Sequence, residues 1–181
     1  MGKRILFLLV SLILVPTAWG QETVLKTNLL YDATSTINLG VEHGLSDKWT
    51  LDISANYNPW KFGGYRQIKH WLIQPEVRYW LDERFNKHFF GFHLYDGQFN
   101  VSNPKWFDDR YQGWFLGAGL SYGYHWKWSE RWSMDFTLGL GYAYLDYDKY
   151  PCASCGEKLK EGTHHYFGPT KAGISLIYIL K

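Results

Sequence analysis

This sequence has almost no net charge, no long apolar run after its first 20 residues and no convincing amphipathic helix. Its 19 basic residues nearly cancel its 17 acidic ones, which gives no reason to expect a nucleic-acid partner. A mean hydropathy of -0.32 rules out a bundle of membrane helices. It does not rule out a membrane barrel, whose strands alternate apolar and polar residues and so average out as soluble. Cysteine is scarce: Cys152 and Cys155 are the pair, both in "PCASCGEK". The G-x-S-x-G elbow of serine hydrolases is missing too. At 181 residues there is room for one domain.

The first 20 residues stand apart. Lys3 and Arg4 precede the apolar run 5–15, and Ala18-Trp19-Gly20 forms a small-x-small cleavage signature. This is the pattern of a Sec-type signal peptide, and the run is short for a membrane span. Cleavage after Gly20 leaves 21–181 as the exported domain, with as many basic as acidic residues. No cysteine sits at the junction to carry a lipid anchor.

The chain is rich in Trp (10), Tyr (14), Phe (11) and Gly (18), and these residues follow period two, the strand signal. Trp114, Leu116, Ala118, Leu120, Tyr122, Tyr124 and Trp126 alternate with Phe115, Gly117, Gly119, Ser121, Gly123, His125 and Lys127. The next segment repeats the pattern, with Trp132, Met134, Phe136, Leu138, Leu140, Tyr142 and Tyr144 on one face. Aliphatics occupy the middle of the apolar face and Trp or Tyr its ends, while Gly and Ser crowd the other. That distribution predicts a lipid-facing band between aromatic girdles around a narrow polar lumen. The expected fold is an all-β, eight-stranded antiparallel up-and-down transmembrane β-barrel in the outer membrane. Strands are expected near 24–32, 37–45, 49–57, 68–81, 87–97, 112–127, 132–146 and 164–180. Pro75 falls on a lipid-facing position and predicts a bulge or irregularity.

Three short turns are near copies: "LSDKW", "LDERF" and "WSERW". Longer connections lie between them, at 58–67, 98–111 and 147–163. Short turns on one side and long loops on the other is the outer-membrane rule, and it puts Trp49, Phe85 and Trp132 in a periplasmic aromatic girdle. It also puts the loop of Cys152 and Cys155 outside, where the two can pair as a disulfide or stay as thiols. Metal binding with His164 and His165 is the alternative.

The inward face would carry Lys26, Asn28, Asn38, Glu42, Asp52, Ser54, Asn56, His70, Gln74, Glu76, Arg78, His93, Asp135 and Lys171. An eight-stranded barrel is only wide enough to be filled by side chains, and buried charges must pair. Glu42, Asp52, Glu76 and Asp135 are therefore expected to partner Lys26, Arg78 and Lys171 as a structural plug; a proton path or narrow pore is the alternative. Catalysis is not expected. The candidate histidines are His93, His125, His164 and His165. Ser121 shares a face with His125 but lies roughly 13 Å away at about 3.3 Å per residue. No cofactor or metal is expected. The loops carry Trp60, Phe62, Tyr65, Arg66, Trp106, Phe107, Asp108, Asp109 and Arg110, which suit recognition of a partner or shielding of the rim against lipopolysaccharide.

The runs "KTNLLYDAT", "NYNPW" and "QPEVRYW" together resemble a domain-of-unknown-function family of small exported proteins from anaerobic Gram-negative bacteria. The resemblance covers essentially all of 21–181. It implies an outer-membrane β-barrel, often encoded near fimbrial genes, and hence fimbrial or other surface proteins as partners. It implies no catalytic residues. Together these expectations describe a monomeric barrel with a structural or binding role. A lipid-modifying enzyme and a narrow channel are the alternatives.

Overall fold

The computed structural model describes residues 22–62, 66–102, 109–151 and 157–180. The signal-peptide assignment, Cys152, Cys155, Tyr65, Trp106, Phe107 and Asp108 lie outside the described residues, as do the side chains of Phe62 and Arg66. The strands are β1 (Thr23–Asn28), β2 (Ile37–Gly44), β3 (Trp49–Asn58), β4 (Lys61–Phe62), β5 (Arg66–Trp80), β6 (Lys87–Ser102), β7 (Arg110–Lys127), β8 (Trp132–Tyr150) and β9 (Lys160–Leu180). One turn of helix, α1 (Leu29–Ala33), joins β1 to β2. All pairings are antiparallel between neighbours, and β1–β9 and β3–β5 close the ring; β4 is a two-residue appendage on β5. The result is the eight-stranded up-and-down barrel that the alternation predicts.

The closure is staggered. Val24 pairs with Glu42 and with Ile179. Following the pairs round from Glu42 through Asp52, Glu76, His93, Gly119 and Gly141 arrives at Gly168, not at Ile179. This offset is the shear that tilts the strands and lets a sheet close.

Inward side chains interlock by size. Across β6 and β7 the pairs are Phe89 with Gly123, Gly91 with Ser121, His93 with Gly119, Tyr95 with Gly117, Gly97 with Phe115 and Phe99 with Gly113. Each large side chain fills the space above a small one, which is how a narrow barrel accommodates large side chains across neighbouring strands. The glycine-rich face is thus the seat of neighbouring side chains rather than the wall of an open polar channel.

Three details differ from the sequence reading. First, the strands at one end are longer: β6 reaches Ser102, β7 begins at Arg110, β8 runs to Tyr150 and β9 begins at Lys160. Much of the expected loops is therefore paired sheet. Second, β1 ends at Asn28, where the Asn28 side chain accepts from the Leu30 N–H and caps α1. Third, the irregularity expected at Pro75 is present as a break in the ladder rather than as a bulge. The β5–β6 pairing lapses at Gln74 and Pro75 and resumes at Glu76–His93 in the same register. The register shift lies on β9 instead: Gly139 pairs with Lys171 but Leu140 with Pro169, leaving Thr170 as the extra residue.

Candidate functional site

The lumen is filled in layers. At the end with the tight turns, Val24, Trp80, Phe85, Phe89, Ile177 and Ile179 form a buried apolar cluster. Trp80 stacks at a tilt against Phe85 and Phe89, with centroids 5.6 and 4.8 Å apart. Its indole N–H donates to Thr50 Oγ1 at 3.0 Å. β1, β5, β6, β9 and the turn at Phe85 deliver these side chains to the axis, and the cluster fills the mouth.

Phe85 corrects the expected girdle. Trp49 and Trp132 open their strands and point outward, 46% and 41% exposed, against Tyr79 and Tyr178 respectively. Phe85 is buried. The reason is local. In "LSDKW" and "WSERW" the aromatic is the first strand residue, but "LDERF" is followed by Asn86 before β6 begins at Lys87. Phe85 and Lys87 take left-handed φ values of 57° and 56°, and the extra turn swings the ring under the barrel. His88 takes the outward place, its Nδ1 2.7 Å from the Tyr122 hydroxyl and its ring beside Tyr124.

Above the aromatic seal lies the charge layer. Period two puts Lys26, Glu42, Asp52, Glu76, Arg78, Asp135 and Lys171 on the inner face, and the shear brings them to one place. Arg78 is the hub. Its guanidinium lies 2.9 Å from Glu42 Oε2, 2.9 Å from Asp52 Oδ2, 2.8 Å from Glu76 Oε2 and 2.8 Å from Asp135 Oδ2. It also rests on the Phe89 ring, 4.3 Å from the centroid. Lys26 bonds Glu42 at 2.5 Å and Asp135 at 2.8 Å; Lys171 bonds Glu76 at 2.6 Å. All seven expected charges therefore meet, in the expected pairing of acid with base.

Hydroxyls and imidazoles complete the layer. Thr50 donates to Glu42 at 2.5 Å, and Ser121 donates to Glu76. His125 Nδ1 donates to Asp135 Oδ1 at 2.6 Å, and His93 Nε2 is 3.0 Å from Thr170 Oγ1. Ser121 and His125 are thus tied to different carboxylates and not to each other. Sequence reading missed Thr50, Trp80 and Phe89 as lumen residues, although Trp80 continues the parity of Gln74, Glu76 and Arg78. The bulge at Thr170 could not be read from parity, because it puts Thr170 and Lys171 both inside.

Nearer the long-strand end the lumen divides. On the β1–β5 side, Asn56, Gln74 and Asp52 border a polar cavity of about 30 Å³, a size that admits a water. On the β5–β9 side the lining turns apolar, with Leu72, Tyr95, Phe99, Phe115, Leu145 and Tyr166 around a cavity of about 510 Å³. His70 lies at this cavity rather than in the charge layer. His164 faces the cavity, whereas His165 points the other way and bonds the Tyr142 hydroxyl. Among the described residues no group of three or more His, Cys, Asp or Glu is placed to hold a metal ion.

Of the loop residues, Trp60 Nε1 donates to Ser35 O at 2.6 Å, Asp109 pairs with Lys149 at 2.6 Å, and Arg110 lies over the Tyr150 ring at 4.2 Å. Lys158 pairs with Asp148 at 2.6 Å and with Glu161, and these two carboxylates hold its ammonium above the ordinary lysine range.

The outer surface is the reverse of the lumen. Leu138, Leu120, Leu140, Ile37, Leu39, Phe90 and Leu116 are all more than half exposed. Such a chain belongs to the class of closed β-barrels that are polar within and apolar without, with an ion-paired, sealed interior. Residues 5–180 match the family described as "Protein of unknown function (DUF3575)", and the chain belongs to that family. No curated protein and no solved structure matches it.

Proposed function

We propose that this protein is a monomeric, integral outer-membrane barrel that acts as a non-conducting surface scaffold, presenting its long-strand end outside the cell. The observation that carries this reading is the outward apolar belt between two aromatic rings. Trp126, Trp128, Trp132 and Tyr178 ring the tight-turn end; Trp114, Tyr144, Tyr57 and Trp71 ring the other. Between them, Leu138 and Leu120 are 73% and 68% exposed. Each such side chain left in water forgoes about 1.5–3 kcal/mol of burial, and a belt of this extent far exceeds the apolar patches of soluble monomers. Lipid is the solvent that fits it, and the tight turns then face the periplasm. Closed barrels resist SDS, so the unboiled protein should run faster than the boiled one and sediment with outer membranes. Recovery as a soluble periplasmic protein without a gel shift would overturn the reading.

Catalysis has little support. Ser121 and His125 serve separate carboxylates in the charge layer above the aromatic seal. Deletion of the protein should accordingly leave lipid A mass spectra unchanged. The partners that remain are outer-membrane lipid and lipopolysaccharide around the belt, and surface proteins at the rim. A fimbrial partner rests on the resemblance alone; co-purification with fimbrial subunits tests it.

A further inference from the structure

The barrel wall is uneven. β1 ends at Asn28, paired with Ser175, whereas β9 continues to Lys160 with only β8 beside it. On its β1 side β9 therefore has no strand partner above Ser175 among the described residues. α1 closes only the lowest part of this gap, where Asn28 Nδ2 donates to Ala172 O and Asn28 Oδ1 accepts from Ile174 N.

The gap lies at the depth of lipid. The low rim carries Leu29, Leu30 and Ile37, all exposed, and Ile37 pairs with Tyr57 of the outer aromatic ring. Along the gap, Ile174, Ala172, Pro169 and Phe167 of β9 pair with Phe136, Leu138, Leu140 and Tyr142 of β8, so the gap opens within the apolar belt. The far side of the gap presents Phe167, 81% exposed, the most exposed of the large apolar side chains described. Beside the gap lies the apolar cavity of about 510 Å³, bordered by Tyr31 of α1 and by Tyr166 and Thr170 of β9. Its wall residues Phe115 and Leu145 are sequence neighbours of Trp114 and Tyr144, so it sits at the level of the outer leaflet. Its floor is polar, where Thr170 bonds His93 and Lys171 bonds Glu76.

We propose that the gap between β9 and α1 is a lateral doorway, and that the cavity behind it binds one acyl chain of an outer-leaflet lipid. The volume is within the range of small-molecule sites, roughly 300–1,000 Å³. The apolar lining favours a hydrocarbon over water. The charge layer stops the chain from passing deeper, because a methyl terminus cannot replace the ion pairs there. The headgroup stays outside, beside a rim that offers His70 and His164. The bulge builds the site: by inverting the parity of β9 at Thr170, it turns Tyr166 and His164 inward while Phe167 stays on the lipid side.

The inference rests on the membrane reading, and one experiment separates the two. The full-length protein is reconstituted in vesicles containing a phosphatidylglycerol whose acyl chain carries a diazirine near its end. It is then irradiated and mapped by peptide mass spectrometry. Adducts are expected on Tyr95, Phe115, Leu145 or Tyr166 as well as on the outward Leu120 and Leu138. Ala143→Trp, which fills the cavity, should abolish the inner adducts and leave the outer ones. If Ala143→Trp loses the heat-dependent gel shift, Leu145→Gln serves in its place, since a polar wall should also abolish inner labelling. Outer adducts without inner ones overturn the doorway and leave the membrane barrel standing. No adducts at either place overturn the membrane reading itself.

Discussion

Arg78 shows what a single residue contributes to this fold. It is fully charged at any working pH, its fork of donors reaches four carboxylates, and its flat face covers Phe89. Lys26 and Lys171 reach fewer acids each, so Arg78 is the group that lets Glu42, Asp52, Glu76 and Asp135 lie together. Arg78→Met should therefore destabilise the barrel by about 3–5 kcal/mol, the cost of leaving buried charge uncompensated. Arg78→Lys should fall between the two, because one ammonium cannot satisfy carboxylates on four strands. Urea unfolding in vesicles, followed by Trp fluorescence, measures both; an unchanged midpoint for Arg78→Met would show that the ion layer carries no stability. Gly91 tests the size code of β6 and β7. A methyl there would collide with the carboxylate of Glu76 and the hydroxyl of Ser121, which already bond each other. Gly91→Ala should cost about 1–3 kcal/mol by overpacking, and the same titration reads it.

Among the elements, the three polar turns are less alike than their sequences. "LSDKW" and "WSERW" close directly into strands, whereas the turn with "LDERF" holds Phe85 and Asn86 as two further residues, with a left-handed φ at Phe85. That difference turns a girdle aromatic into a plug. Phe85→Ala should cost about 3–5 kcal/mol, as expected for emptying a buried aromatic site. Trp49→Ala, at the exposed girdle, should cost less, and equal losses in the urea titration would argue against the plug. The strand cores and the seven lumen charges were legible because most strands carry one apolar face and keep a strict parity outside the β9 bulge. Three features were not. The strand extensions beyond the outer ring lose the apolar face, so period two fades although pairing persists. The inversion at Thr170 leaves no composition signal, since Pro169 looks like a strand breaker and marks instead the edge of the gap. The inward turn of Phe85 depends on backbone dihedrals that no spacing rule contains.

For the whole molecule, two barriers of different chemistry lie in series along the axis. An ion entering from the tight-turn end meets the Trp80, Phe85 and Phe89 seal, where the loss of hydration costs several kcal/mol with nothing in return. An ion entering from the other end meets the charge layer, whose acids and bases are already paired with each other. Eight strands leave no room beside either barrier. The protein should therefore give no conductance steps in planar bilayers. Phe85→Ala should stay silent as well, because the ion layer above it is intact. Steps in the native protein would make the lumen a pore. Steps in Phe85→Ala alone would mean that the aromatic seal, and not the charge layer, closes the barrel. The order of the barriers also explains why the apolar cup is closed at its lower end. Shut below by ion pairs, it can fill only from the long-strand end or through the gap beside α1, and the low wall at α1 makes the gap the shorter path.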